Sequence, residues 1–95
     1  DNLPIRPMAE LEDRYYVRIV VEDKPGVLAS TAATFAQHGV SVESLIQRCP
    51  RGKDSAELVY VTHRTTEACM NEAFEAIRKL DAVQSIAAVI RVEDI

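Results

Sequence analysis

The chain has 95 residues, of which 47% are hydrophobic and 27% charged, which is typical of one folded domain and excludes a disordered chain. Acidic residues outnumber basic ones by 15 to 11, and the basic ones are scattered, so no clustered phosphate-binding face is expected. No apolar run approaches the roughly 18 to 20 residues that span a bilayer. Cys49 and Cys69 lie far apart in sequence and fit no metal-ligand spacing. We therefore expect a cytoplasmic protein with reduced thiols, no nucleic-acid partner and no membrane partner.

The first 14 residues are predicted to be a linker from an upstream catalytic region. Pro4 and Pro7 favour extended backbone there, with a helical turn over residues 8–13 as an option at its end. Residues 15–95 are predicted to form the domain. Its first strand covers residues 15–22, where hydrophobic and polar side chains alternate.

The first helix is predicted to follow a turn at residues 23–26 and to end near His38. Pro25 suits a first helical turn, and the Asp23 carboxylate is expected to cap the free amides beyond it. Gly39 suits the left-handed residue that often ends a helix. The expected buried stripe follows a 3.6-residue period and contains Leu28, Thr31, Ala32, Phe35 and Ala36.

Two strands over residues 40–48 and 56–63 are predicted to form a hairpin around the polar turn at residues 50–54. A second helix follows, capped by Thr65 or Thr66. Its expected buried stripe contains Met70, Ala73, Phe74, Ile77 and Leu80. The last strand is predicted over residues 83–92.

The order of elements predicts an α+β, ferredoxin-like βαββαβ fold with a four-stranded antiparallel sheet and two helices on one face. Strands three and four carry apolar residues on both sides, although helices cover only one face. The open face is therefore expected to be covered by another subunit or by a catalytic domain. The edge strand at residues 40–48 is expected to pair with a second copy of the chain, giving a homodimer or a higher homo-oligomer.

The turn before the first helix is the strongest candidate site. Gly26 would let a ligand approach the backbone, and the free amides at the helix start could bind an amino-acid carboxylate while Asp23 or a carbonyl binds its ammonium group. A helix start that binds no ligand is the alternative.

Two stretches carry a family resemblance. Asp23-Lys24-Pro25-Gly26-Val27-Leu28 with Gly39-Val40-Ser41-Val42 resembles the signature of ACT domains, the small-molecule sensor modules of amino-acid metabolism. Asn2-Leu3-Pro4-Ile5-Arg6-Pro7-Met8, Arg14-Tyr15-Tyr16 and Glu57-Leu58-Val59-Tyr60-Val61-Thr62-His63 resemble the C-terminal regulatory region of homoserine dehydrogenases.

This resemblance implies a regulatory module for threonine feedback, attached to an NAD(P)-dependent enzyme that interconverts aspartate semialdehyde and homoserine. It implies no catalytic residue, cofactor or metal in this part of the enzyme, because NAD(P) would bind upstream. The ligand-binding residues that it implies are Asp23, Lys24, Pro25, Gly26, Val27, Leu28, Val40, Ser41 and Val42.

The sequence departs from the ACT pattern at two positions. Ser41 stands where many amino-acid-binding ACT domains have Asn, and Thr31 stands where an aliphatic residue is common. A ligand-free module that only joins subunits is therefore the main alternative. RNA binding through Tyr16 and Tyr60 is a weaker one, because the acidic balance opposes it.

Overall fold

The computed structural model describes residues 12–49 and 54–92, so the predicted linker up to residue 11 and the turn at residues 50–53 lie outside the described part. The elements in chain order are β1 (Glu12–Glu22), α1 (Val27–Gln37), β2 (Val42–Arg48), β3 (Ser55–Thr62), β4 (Thr65–Thr66), α2 (Glu67–Arg78) and β5 (Val83–Val92). The predicted βαββαβ arrangement is confirmed, with the two-residue strand β4 in addition.

The sheet has the order β2-β3-β1-β5, and every pairing in it is antiparallel. Ile19 of β1 lies opposite Leu58 of β3 on one side and Ile86 of β5 on the other. Two long strands therefore occupy the middle of the sheet, and β2 and β5 form its edges.

β1 is longer than predicted because it gains a partner at its start. Glu12 pairs with Thr66 and Asp13 pairs with Thr65, so a helical turn is wrong for these two β1 residues. Thr66 also starts α2, since its side chain accepts a hydrogen bond from the Cys69 amide at 3.1 Å. The predicted cap of the second helix is thus confirmed.

The start of α1 differs from the prediction. The residue before the helix is Gly26, in the left-handed region at φ 85°, and no side chain caps the amides. The Asp23 cap is therefore wrong, and Pro25 lies before the helix because Gly26 turns the chain between them. The buried stripe consequently includes Val27, whereas Leu28 and Ala36 are exposed.

The end of α1 also shortens β2. Gly39 has the predicted left-handed conformation at φ 76°. The Val40 amide donates to the Phe35 carbonyl at 2.9 Å, so the chain is still closing the helix there. For that reason β2 begins at Val42 rather than at residue 40.

Both helices pack on the same face of the sheet. Alternate residues of β1 and β3 point into this layer and meet apolar side chains from α1 and α2. The largest fully buried side chains are Tyr60, Phe35, Ile19, Leu58, Met70, Ile77, Val17, Val21 and Val40, with the polar Thr31 and Thr62. This placement excludes Tyr60 from stacking on RNA.

A buried pair of hydroxyl groups joins α1 to the middle of the sheet. Thr31 Oγ1 is hydrogen-bonded to the Tyr60 hydroxyl and donates to the Leu28 carbonyl at 3.0 Å. The Tyr60 ring packs on Phe35 with ring centroids 4.8 Å apart. Thr31 thus satisfies a phenol that burial would otherwise leave without a close partner.

We expect Thr31→Val to lower the free energy of unfolding by about 1 to 3 kcal/mol, because it leaves the Tyr60 hydroxyl without its close partner. The hydroxyl then keeps only its longer bond to the Leu28 carbonyl at 3.4 Å, and adding Tyr60→Phe removes the hydroxyl and should recover part of that loss. Urea denaturation of the two single variants and the double variant measures this coupling. Strictly additive losses would contradict it.

Alkaline pH should destabilise the fold through Tyr60. Burial raises the pKa of the Tyr60 hydroxyl above its ordinary value of 10, and the bond to Thr31 offsets part of the increase. As pH rises above 10, the unfolded chain loses this proton before the folded chain does, so stability falls until pH passes the folded pKa. We expect Tyr60→Phe to flatten this fall by up to about 1.4 kcal/mol per pH unit. Urea denaturation at pH 8 to 11 in about half-unit steps measures the slope, and equal slopes with and without the phenol would contradict the prediction.

Candidate ligand-binding site

A cavity of about 350 Å³ opens beside the turn between β1 and α1. It lies at the end of the sheet where β1 ends and β3 begins, since Glu22 pairs with Ser55 there. Its lining consists of Val21, Glu22, Asp23, Lys24, Pro25, Gly26, Val27, Leu28, Gln47, Ala56 and Leu58. The six predicted loop residues therefore all border one cavity, of a size that suits a small ligand.

Backbone hydrogen bonds hold the turn in shape. The Lys24 amide donates to the Glu22 carbonyl at 2.9 Å, and the Asp23 amide donates to the Asp54 carbonyl at 3.0 Å. A Cβ atom added at Gly26 would meet nothing within 4 Å. The left-handed backbone, rather than crowding, therefore favours glycine at this position, and the backbone there is open to an approaching molecule.

The helix start presents partial positive charge to the cavity. Its first turn has neither a side-chain cap nor an acidic residue. The Val27 amide donates to the Lys24 carbonyl at 3.4 Å, whereas the next amides of the first turn have no acceptor within the helix and can bind an anion. A carboxylate fits this position better than a neutral group.

The rim of the cavity carries both signs of charge. Lys24 Nζ lies 2.6 Å from the Glu22 carboxylate, and this bond raises the pKa of Lys24. Asp23 is exposed beside them and has no ion-pair partner among the described residues. The cavity thus offers free amides to a negative group and a carboxylate to a positive group, which is the pattern that a zwitterion requires.

The second predicted segment lies elsewhere in the same copy. Ser41 is exposed, and its carbonyl accepts from the His63 amide at 2.9 Å, while Val42 pairs with Thr62. Thr62 is four residues along β3 from Leu58 of the cavity, which is about 13 Å at the rise of a strand. Val40 is buried in the core. One copy of the chain therefore does not bring residues 40–42 to the loop.

β2 instead contributes Gln47, which the sequence interpretation missed. Gln47 pairs with Leu58 near the end of the strand, and both border the cavity. A register continued from the Val42–Thr62 pair would have placed Gln47 opposite Glu57, on the face without helices, but the bulge between Val42 and Ser44 shifts Gln47 to the helix side, opposite Leu58. The sequence shows no sign of this bulge.

A larger cleft of about 480 Å³ lies between α2 and β5. Its lining is Tyr15, Glu67, Met70, Asn71, Phe74, Val89 and Arg91. The Arg91 side chain lies 3.6 Å from the Asp13 carboxylate, so its charge already has a partner. The start of α2 beside this cleft has a side-chain cap, since Thr66 accepts from the Cys69 amide, and Glu67 adds a negative charge to its first turn. The cavity beside Gly26 is therefore the better candidate for a ligand-binding site, although it is smaller than this cleft.

Other kinds of site find no support in the described part of the chain. Residues 12–49 and 54–92 contain no group of three or more His, Cys, Asp or Glu side chains that could hold a metal ion. Among the same residues, no helix has the length and apolar character needed to cross a membrane.

Comparison with known proteins identifies the fold. The family model for the ACT domain matches residues 15–82, and the chain belongs to the ACT domain family. It is similar to a homoserine dehydrogenase from Mycobacterium tuberculosis, with 43% identity over 97% of this chain and 22% of the relative. The chain thus spans about a fifth of the length of the homoserine dehydrogenases that it matches.

Solved structures agree with this assignment. The crystal structure of a homoserine dehydrogenase from Thiobacillus denitrificans has a TM-score of 0.83 and 33% identity, covering 99% of this chain and 20% of that one. The ACT domain of the GTP pyrophosphokinase of Chlorobium tepidum has a TM-score of 0.65 at 15% identity, covering 85% of this chain and 99% of that one. The second likeness concerns the fold alone.

Proposed function

We propose that the chain is a regulatory module that binds a small amino acid, threonine being the first candidate, and that it controls a homoserine dehydrogenase by feedback. The observation that carries this proposal is the cavity beside Gly26, where an uncapped helix start meets a rim with carboxylates. Membership of the ACT family and the similarity to homoserine dehydrogenases support the choice of enzyme.

In this proposal the ligand carboxylate accepts hydrogen bonds from the free amides of α1. Its ammonium group faces the Asp23 carboxylate or a carbonyl of the turn. The Gln47 side chain, which also borders the cavity, can hydrogen-bond a hydroxyl group on the ligand. A small hydroxylated amino acid such as threonine would use all three kinds of contact.

A second copy would complete the site through β2. Antiparallel pairing of two β2 edges places the start of one strand beside the end of the other. Residues 40–42 of the second copy would then lie next to Gln47 of the first. The separation of these segments within one copy supports this arrangement, because only a partner can supply Ser41 to the cavity.

Regulation would follow from a difference in ligand affinity between arrangements of the whole enzyme. In the proposed protein, the segment before β1 links the domain to an upstream part that binds NAD(P) and carries out the oxidoreduction in the cytoplasm. The regulatory domain itself contributes no catalytic residue or cofactor.

Isothermal calorimetry with threonine tests the ligand site, with two glycine variants as a matched pair. Gly26→Ala and Gly39→Ala both place a side chain in a left-handed conformation, so each should cost about 1 kcal/mol of stability. Only Gly26→Ala adds a methyl group beside the cavity, and we expect it to weaken threonine binding at least tenfold while Gly39→Ala leaves binding unchanged. Absence of heat with threonine and related amino acids at millimolar concentration would refute amino-acid sensing.

A module that only joins subunits is the second candidate. Ser41 in place of the common Asn favours it, as does the exposed apolar side of the sheet described below. For such a module, light scattering would give an oligomer whose mass is the same with and without threonine, and calorimetry would give no heat.

Hydrogen exchange tests the proposed β2 edge in the unmodified chain. In a monomer, the β2 amides that point away from β3 should exchange quickly, since they lack an acceptor. Antiparallel pairing with a second copy should slow those amides at high protein concentration, and dilution should reverse the effect. Fast exchange of these alternate amides at every concentration would exclude the edge dimer.

A further inference from the structure

The sheet face that lacks helices, here called the open face, has an apolar centre. Strand register places Ile46, Val59, Arg18 and Ala88 in one row across the sheet, and Ser44, Val61, Tyr16 and Ile90 in the next row. Ile46 is 54% exposed and Ile90 is 55% exposed, values that are unusual for isoleucine. Tyr16 and Val61 are half-buried between them. Such a surface is typical of a protein interface.

Two opposite charges on the open face lack partners. Arg18 Nε is buried without a hydrogen-bond partner among the described residues. Glu57 is half-buried and forms no ion pair in the same part of the chain. A buried donor without an acceptor is costly, so Arg18 indicates a missing acceptor on this face.

Arg18 and Glu57 are close on the sheet but do not pair with each other. Arg18 lies opposite Val59, and Glu57 lies opposite Val20, so the two charged residues are diagonal neighbours on adjacent strands. Side chains on a sheet stand roughly perpendicular to it, which directs both charges outward. Arg48 of β2 also lies opposite Glu57 on this face, but it is exposed and forms no ion pair with Glu57 among the described residues, so both Arg18 and Glu57 remain accessible to partners from above the face.

We infer that the open face binds the open face of a second copy, with Arg18 of each copy paired to Glu57 of the other. The twofold axis would lie between the two sheets, parallel to them, and would cross the line from Arg18 to Glu57 at its midpoint and at a right angle. Rotation about this axis places Arg18 of one copy opposite Glu57 of the other. Arg18 and Glu57 of the two copies then form two ion pairs across the interface, as a symmetric arrangement requires. Ile46 and Ile90 would be buried beside these ion pairs and would exclude water from them.

The available area is sufficient for this interface. Four strands at about 4.8 Å spacing, with about eight residues each at 3.3 Å, cover roughly 500 Å² per copy. The total of roughly 1,000 Å² reaches the lower limit of specific interfaces. The contact uses neither the cavity nor the β2 edge, so it can exist with or without threonine binding. Together with the proposed edge pairing it would give four copies.

Charge exchange tests the pairing directly. In sedimentation equilibrium on the 95-residue chain, R18E and E57R should each weaken the face-to-face association at least 100-fold, because each places like charges opposite one another. The double variant R18E/E57R should return to within about tenfold of the unmodified chain, because the charges are then complementary again.

R78E and E75R are the matched controls, since they change the net charge equally on the exposed side of α2. They should leave the association unchanged, and circular dichroism checks that every variant is folded. Failure of R18E to weaken the association would overturn the inference, as would failure of a folded double variant to recover. A chain that stays monomeric at about 1 mM would overturn it as well.

A labelling measurement on the unmodified chain tests the same inference without any substitution, so it remains valid if the variants do not fold. Carbodiimide labelling should modify Glu57 much less at high protein concentration than after dilution, whereas the exposed Glu72 on α2 should label equally at both. Equal labelling of Glu57 at both concentrations would overturn the inference. Absence of the edge dimer would instead show in the hydrogen exchange of the β2 amides. The two proposed interfaces can therefore be refuted separately.

Discussion

The two helices cover only one face of the sheet, and most features of this domain follow from that constraint. Side chains of β1 and β3 alternate between a dry layer against α1 and α2 and a face without helices. The covered side has a dense core around Tyr60 and Phe35. The other side has isoleucines in solvent and an arginine whose Nε lacks an acceptor in the described part of the chain. The covered layer thus supplies stability, and in our inference the open face serves association.

The same architecture separates the two segments that resemble the ACT signature. The turn after β1 lies at one end of the sheet, while the start of β2 lies at the other because β2 runs back along β3. An antiparallel partner at the β2 edge would reverse that separation. In our proposal, ligand binding and association are therefore coupled by geometry, since a site shared between copies is complete only in the assembly.

The departure at Thr31 has a structural explanation, whereas the departure at Ser41 has none within one copy. Thr31 is buried and bonded to the Tyr60 hydroxyl, so it belongs to the support beneath the first turn of α1. An aliphatic residue would leave that phenol without its close partner. Ser41 is exposed, and its carbonyl serves the start of the hairpin. Among the described residues, its side chain makes no contact that accounts for the choice of serine.

The sequence by itself determined the order of elements, a threonine cap at residue 65 or 66 and the left-handed Gly39, because these depend on local hydrogen bonds and on hydrophobic period. Only the structure decided where α1 begins, because the sequence predicted an Asp23 cap, whereas the left-handed Gly26 precedes the helix and no side chain caps it. It also decided that Gln47 reaches the cavity and that Arg18 Nε lacks an acceptor in the described part of the chain. The position of Gln47 and the surroundings of Arg18 depend on strand register and on contacts between residues that are distant in sequence. The pattern of residues along one strand does not indicate which residues of the adjacent strand lie beside it.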